Sequence, residues 1–124
     1  MKFYRCSHCG NLLTPILDSG LTPVCCGDQM TILEANTTDA AVEKHVPAVV
    51  RDGRVVSVTV GSTEHPMTEE HYIQFIAVAQ DDKVQFARLQ STDEPKAELV
   101  VCDADAPITV YEYCNLHGLW KAEA

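Results

Sequence analysis

Four cysteines within the first 26 residues, in the pattern Cys6-Ser7-His8-Cys9-Gly10 and Cys25-Cys26-Gly27, constrain this chain more than any other feature. Two tight thiol pairs about fifteen residues apart have the spacing of a metal site. A Cys-x-x-Cys turn brings both sulfurs to one side of the chain. Gly10 and Gly27, each directly after a cysteine, let the backbone turn and its N–H groups approach sulfur. The adjacent pair Cys25-Cys26 is less common. Neighbouring strand side chains point to opposite faces, so both reach one ion only through a local twist. The expectation is a distorted tetrahedron of four sulfurs, which suits iron or zinc, and spacing does not choose between them. A redox-active or vicinal disulfide is the remaining alternative. His8, between two of the cysteines, reads as a solvated loop residue and not as a fifth ligand.

The segment around these cysteines, residues 1–36, has few large apolar side chains; Phe3, Leu12, Leu13, Ile16, Leu17, Leu21, Val24 and Ile32 are most of them. A piece this small is not held by burial alone, so a cross-linking metal is physically expected. Phe3-Tyr4 and Leu12 to Leu17 read as short strands, with Asp18-Ser19-Gly20 as a turn. The polar stretch Glu34 to Thr38 marks the boundary to a second domain over 37–124. There, Arg54 to Val60 alternates Val56, Val58 and Val60 with Ser57 and Thr59, after a hairpin turn at Asp52-Gly53. Tyr72 to Ala79, Val84 to Leu89, Ala97 to Cys102 and Ile108 to Tyr113 are further strand candidates, with Cys102 read as a buried small hydrophobe. The fold class is all-β, and the second domain reads as an antiparallel sandwich, immunoglobulin-like in layout.

The 124 residues carry a net charge of −9 and no run of Lys or Arg, which argues against a nucleic-acid or anionic-membrane partner. No stretch has the apolar length of a membrane span, and Met1-Lys2-Phe3-Tyr4-Arg5-Cys6 lacks the apolar core of a signal peptide. The expected compartment is the cytoplasm, where clustered cysteines hold metals more often than they form disulfides.

Four of the five histidines fall in three short segments: Glu43-Lys44-His45-Val46-Pro47, His65-Pro66-Met67-Thr68-Glu69-Glu70-His71, and Tyr113-Cys114-Asn115-Leu116-His117-Gly118. Loops of a sandwich can converge at one end, and Cys114 and His117, at i and i+3, can address one ion from a tight turn. Thr68 with Glu69 and Glu70 resembles a helix start, so one helical turn is expected to deliver His71. Singly, each histidine reads as a surface or hydrogen-bonded residue, and Cys114 as a buried small hydrophobe. As a set, imidazoles with a thiolate beside proline and glycine turns read as a second metal site.

Together the two sets resemble the desulfoferrodoxin family of superoxide reductases. The resemblance rests on Tyr4-Arg5-Cys6-Ser7-His8-Cys9-Gly10-Asn11, Val24-Cys25-Cys26-Gly27, Glu43-Lys44-His45-Val46-Pro47, Gly61-Ser62-Thr63-Glu64-His65-Pro66-Met67 and Glu112-Tyr113-Cys114-Asn115-Leu116-His117-Gly118, in the family's order over nearly the whole chain. It implies a desulforedoxin-like N-terminal domain with iron on Cys6, Cys9, Cys25 and Cys26. It also implies a second iron with His45, His65, His71 and His117 in one plane and Cys114 as axial ligand. The position opposite Cys114 is then open, or taken by Glu43 in the ferric state. Further implications are reduction of superoxide to hydrogen peroxide, a rubredoxin-like electron donor, a homodimer and a cytoplasmic location.

The chemistry suits the residues. Adding one electron and two protons to superoxide needs a metal with an accessible redox change, which zinc lacks. An axial thiolate pushes electron density onto iron. Superoxide is an anion and the protein is acidic, so the overall field opposes encounter. Lys44, beside a ligand histidine, is expected to supply local positive charge.

Overall fold

A computed structural model describes all 124 residues, which divide into two compact units, Met1–Glu34 and Ala35–Ala124. The first unit is built of two-residue strands. Strand β1 (Tyr4–Arg5) lies between β2 (Leu12–Leu13) and β5 (Thr31–Ile32), while β3 (Val24–Cys25) and β4 (Asp28–Gln29) form a separate hairpin. Its buried cluster is Tyr4, Cys6 and Met30 with Cys25 packed against it, so two of the few core side chains are themselves cysteines. Ile16, Leu17 and Leu21 are 96%, 91% and 80% exposed and add nothing to that cluster. The strand expected from Leu12 to Leu17 stops at Leu13, because Pro15 has no N–H to continue a ladder.

The second unit is an antiparallel sandwich. One sheet has the order β10 (Lys96–Val100), β7 (Val55–Val60), β6 (Pro47–Asp52). The other has the order β12 (Gly118–Glu123), β11 (Thr109–Cys114), β8 (Ile73–Gln80), β9 (Lys83–Arg88). Alternation sets the inward rows: Val56, Val58 and Val60 on β7 face Ile76 and Val78 on β8 and Val110 and Cys114 on β11, all essentially solvent-free. Each such aliphatic side chain is worth about 1.5–3 kcal/mol of burial, so this unit, unlike the first, holds itself together by its core.

Two expectations are corrected here. Cys102 is exposed and lies past the end of β10. The chain there turns into a loop whose carbonyls at Asp103, Ala104 and Ala106 accept hydrogen bonds from Arg51 at 3.1, 2.6 and 2.8 Å, and this loop draws Cys102 out of the sheet. No helix delivers His71. Residues 69–71 form a bend in which Thr68 and His71 exchange backbone hydrogen bonds of 2.9 and 3.2 Å, and the Thr68 hydroxyl is spent within that turn. The one helix, α1 (Val42–His45), is instead a four-residue turn ahead of β6, and it ends on a histidine.

Candidate metal centres

In the first unit, Cys6, Cys9, Cys25 and Cys26 offer four sulfurs that all lie within 4.8 Å of one another. Cys9 and Cys25 stand 3.6 Å apart and Cys25 and Cys26 4.0 Å. The twist that adjacent cysteines require is present: Cys26 has φ of 52°, a left-handed conformation that turns its side chain to the same side as that of Cys25. The Cys9 N–H points at the Cys6 sulfur at 3.5 Å. That N–H is the main reason the Cys6 thiol is pulled down to about 6, against the effect of its burial. Neighbouring sulfurs, Cys9 first, push Cys26 up to about 12 and raise Cys25. Without a cation, four thiolates this close repel one another; a divalent or trivalent ion removes that conflict, so the set fits a tetrahedral metal.

The second centre draws on three segments of the sandwich. His45 ends α1. His65 and His71 lie on the connection from β7 to β8. Cys114 ends β11, and His117 lies in the turn to β12. These segments are tied to one another. The Thr63 N–H and the Ser62 hydroxyl bond the Glu43 carbonyl at 2.9 and 3.3 Å, and the Gly61 N–H bonds the Val46 carbonyl at 3.2 Å. Gly61 has φ of 80°, and a Cβ there would lie 2.4 Å from the Thr63 carbonyl and 2.6 Å from that of Glu43, so only glycine permits this approach. Asn115 ties the third segment to the second: its amide oxygen accepts from Tyr72 N–H at 2.9 Å and its amide nitrogen donates to the Glu70 carbonyl at 2.9 Å. An extra residue in β8 opposite the step from Tyr113 to Cys114 shifts the register there and re-aims the cysteine.

The result is a square of imidazoles. Ring centres are 4.8 Å apart for His45 and His65, 4.6 Å for His65 and His71, 5.0 Å for His71 and His117, and 4.8 Å for His117 and His45. The diagonal from His45 to His71 is 6.4 Å. Four nitrogens at about 2.1 Å from one ion, with ring centres about 1.2 Å further out, would give sides of about 4.7 Å and a diagonal of about 6.6 Å. The outline therefore fits four equatorial nitrogens around one metal. The sulfur of Cys114 lies within 4.8 Å of donor atoms of His45 and His117, and equally of His65 and His71. One ion could therefore take a nitrogen from each ring and the Cys114 sulfur together.

The protonation states suit ligation. Burial, then the neighbouring rings and the Lys44 charge, lowers His45 to about 4; burial lowers His65 to about 4 as well, and His71 shifts the same way. All three are neutral at pH 7 with a lone pair to give. His65 Nδ1 donates to the Pro66 carbonyl at 2.6 Å, which leaves Nε2 for the ion; that atom and Nε2 of His71 are buried with no hydrogen-bond partner. His117 turns Nδ1 toward the Cys114 sulfur at 3.9 Å. Burial raises the Cys114 thiol, while the backbone N–H groups of His117 and Leu116 favour its thiolate. Glu43 and Lys44, the two residues before His45 on α1, lie exposed, and the Lys44 charge is felt at three of the four rings.

Two residues beside the rings were not singled out from the sequence. Glu112 is fully buried, with its carboxyl 3.9 Å from Nδ1 of His45. Its signal was parity, since Val110, Glu112 and Cys114 alternate along β11 and are all buried. Trp120 stacks on His45 and its only hint was being the sole tryptophan.

A family model described as Desulfoferrodoxin matches residues 37–123. The chain is 43% identical over 122 residues to a desulfoferrodoxin homolog of Archaeoglobus fulgidus, covering 98% of this chain and 96% of the relative. Among solved structures, the superoxide reductase from Treponema pallidum is similar with a TM-score of 0.79 and 33% identity, over 98% of this chain and 97% of that one. The superoxide reductase (1Fe-SOR) from Giardia intestinalis is similar with a TM-score of 0.60 and 32% identity, over 66% of this chain and 97% of that one.

Proposed function

Because the chain belongs to the desulfoferrodoxin family, we propose that it is a superoxide reductase, an oxidoreductase that converts superoxide to hydrogen peroxide. Its iron would be held by His45, His65, His71, His117 and Cys114. A second iron would be held by Cys6, Cys9, Cys25 and Cys26 in a desulforedoxin-like domain over residues 1–36, with the reductase domain over 37–124. The observation that carries this reading is the square of four imidazoles, two buried and two half-buried, with the Cys114 thiol within 4.8 Å of a donor atom of each.

When bound, iron supplies the electron by passing from the ferrous to the ferric state, a change zinc does not offer. The chain's own residues do the rest. Neutral imidazoles and one thiolate leave the ferrous centre with about one net positive charge, counted formally as +2 and −1. Lys44 adds a second positive charge next to His45 and draws a small anion toward the centre of a protein whose net charge is −9. His45, His65, His71, His117 and Cys114 would be the five protein donors, and Glu43, exposed next to Lys44, would be a carboxylate available to the ferric ion. The four-sulfur iron acts as an electron relay or as the staple of a unit with a minimal core. A rubredoxin-like donor, a homodimer and a cytoplasmic location belong to the same reading; no helix is long and apolar enough to cross a membrane.

Iron content measured together with superoxide consumption tests the proposal. Two irons per chain and consumption by the reduced protein support it. A colourless zinc protein inert to superoxide would make the chain a metal-stapled binding module, and iron without any binding of azide or cyanide would make it an electron carrier.

A further inference from the structure

Trp120 touches two neighbouring corners of the imidazole square at once. Its indole lies against His45 with ring centres 5.0 Å apart and planes 15° from parallel, and its Nε1–H donates to the His117 carbonyl at 3.0 Å. It is 2% exposed, is the only tryptophan of the chain, and pairs across β11 and β12 with Glu112, whose carboxyl faces the Nδ1 edge of the same His45 ring.

The two histidines it joins arrive from unrelated parts of the chain. His45 ends a four-residue helix that has no side-chain cap, and no hydrogen bond reaches its Nδ1. His65 differs, because its ring is fixed by the bond to the Pro66 carbonyl. Ring orientation at His45 therefore rests on packing, and the flat surface against it is the indole. His117 sits in a tight turn whose carbonyl is pinned by that same indole. One rigid bicyclic side chain thus fixes a ring plane and a turn, which is how partners outside the ligand set orient the ligands themselves.

We infer that Trp120 is a positioning residue of the histidine-cysteine centre, setting the plane of His45 and the placement of His117 as one unit. The inference rests on the metal-site reading above. It separates two properties of the indole: a flat ring against His45, which phenylalanine keeps, and an N–H for the His117 carbonyl, which phenylalanine lacks. Leucine has neither.

The test uses the full chain loaded with iron at both centres and compares the native protein with Trp120→Phe and Trp120→Leu. Electron paramagnetic resonance of the ferric forms reports each iron separately, because sulfur-only and histidine-rich surroundings have different symmetry. Iron loss to a chelator is followed on the same two signals. The expected order of loss from the histidine-cysteine centre is native, then Phe about five-fold faster, as for one neutral hydrogen bond, then Leu about 10–100-fold faster, as for a lost outer partner. The line shape of that centre changes in the Leu variant, and the four-sulfur signal and its release stay constant in all three. Equal line shapes with release within two-fold of native in both variants would overturn the inference. So would loss of both irons together in the Leu variant with a native-like Phe variant, since that is the signature of a core residue with no directed role. Failure of the native, fully loaded protein to consume superoxide would instead strike the enzymatic reading and leave the line-shape comparison intact.

Discussion

The carboxyl of Glu112 stands 3.9 Å from Nδ1 of His45, with both groups buried and no hydrogen bond to either carboxyl oxygen. Burial raises this carboxyl well above its usual range. The unfolded chain ionises it near 4.5, so folding costs more as pH climbs from there toward the folded value. Stability from this group is full below pH 4.5 and declines above it, at up to about 1.4 kcal/mol per pH unit. Glu112→Gln keeps the shape and removes the titration. Metal-free Glu112→Gln protein is expected to match the native chain near pH 4.5 and to exceed it by a growing margin toward neutral pH. Denaturant unfolding of both at several pH values measures that margin.

The histidines act with the opposite sign. His45 and His65 fall from 6.5 to about 4 on folding, mainly through burial. Their contribution is present above pH 6.5 and is lost as pH falls through that value toward 4, because the unfolded chain then binds protons that the folded one refuses. In the Glu112→Gln background, where the carboxyl slope is gone, metal-free stability should decrease as pH is lowered from 7 to 4. The same denaturant series reads it.

Lys44 is the one cation beside the rings whose charge reaches His45, His65 and His71. Lys44→Ile is expected to slow the bimolecular step with superoxide severalfold or more and to flatten its dependence on ionic strength. Rapid-mixing or pulse-radiolysis rates at two salt concentrations check both. Unchanged rates would take Lys44 out of the reaction.

Glu43→Ala should leave that first step nearly unchanged and alter the ferric visible spectrum, the signature of a carboxylate on the ferric ion. An identical ferric spectrum would remove Glu43 from the ligand set.

Cys9→Ser separates the two roles open to the four-sulfur iron. A staple predicts early proteolysis within residues 1–34 with undiminished reaction of the pre-reduced histidine-cysteine iron. A relay predicts an intact chain whose turnover with a protein electron donor falls while that first reaction is unaffected.

Much of this was readable in the residues. The alternation of Val56, Val58 and Val60 gave a strand and its buried face, since side-chain parity is local information. The Cys6-x-x-Cys9 knuckle is equally local. His71 shows the limit: Thr68-Glu69-Glu70 looks like a helix start, but Asn115, 43 residues from Tyr72, captures the backbone at Glu70 and Tyr72 and imposes a bend. Cys102 left its strand for a similar reason, because Arg51 and Gln80 hold the following loop through its carbonyls. The parts of Glu112 and Trp120 were out of reach because they depend on what lies across the sheet and the sandwich: Glu112 stood in a motif only as a neighbour of Cys114, and Trp120 stood in none.

The most direct test is to expose the fully reduced, iron-loaded protein to a known pulse of superoxide and to count products while following oxidation of the histidine-cysteine iron. One peroxide formed per iron oxidised, with no dioxygen released, is the predicted result. Release of dioxygen alongside peroxide, or superoxide decay no faster than its spontaneous rate, would contradict the assignment.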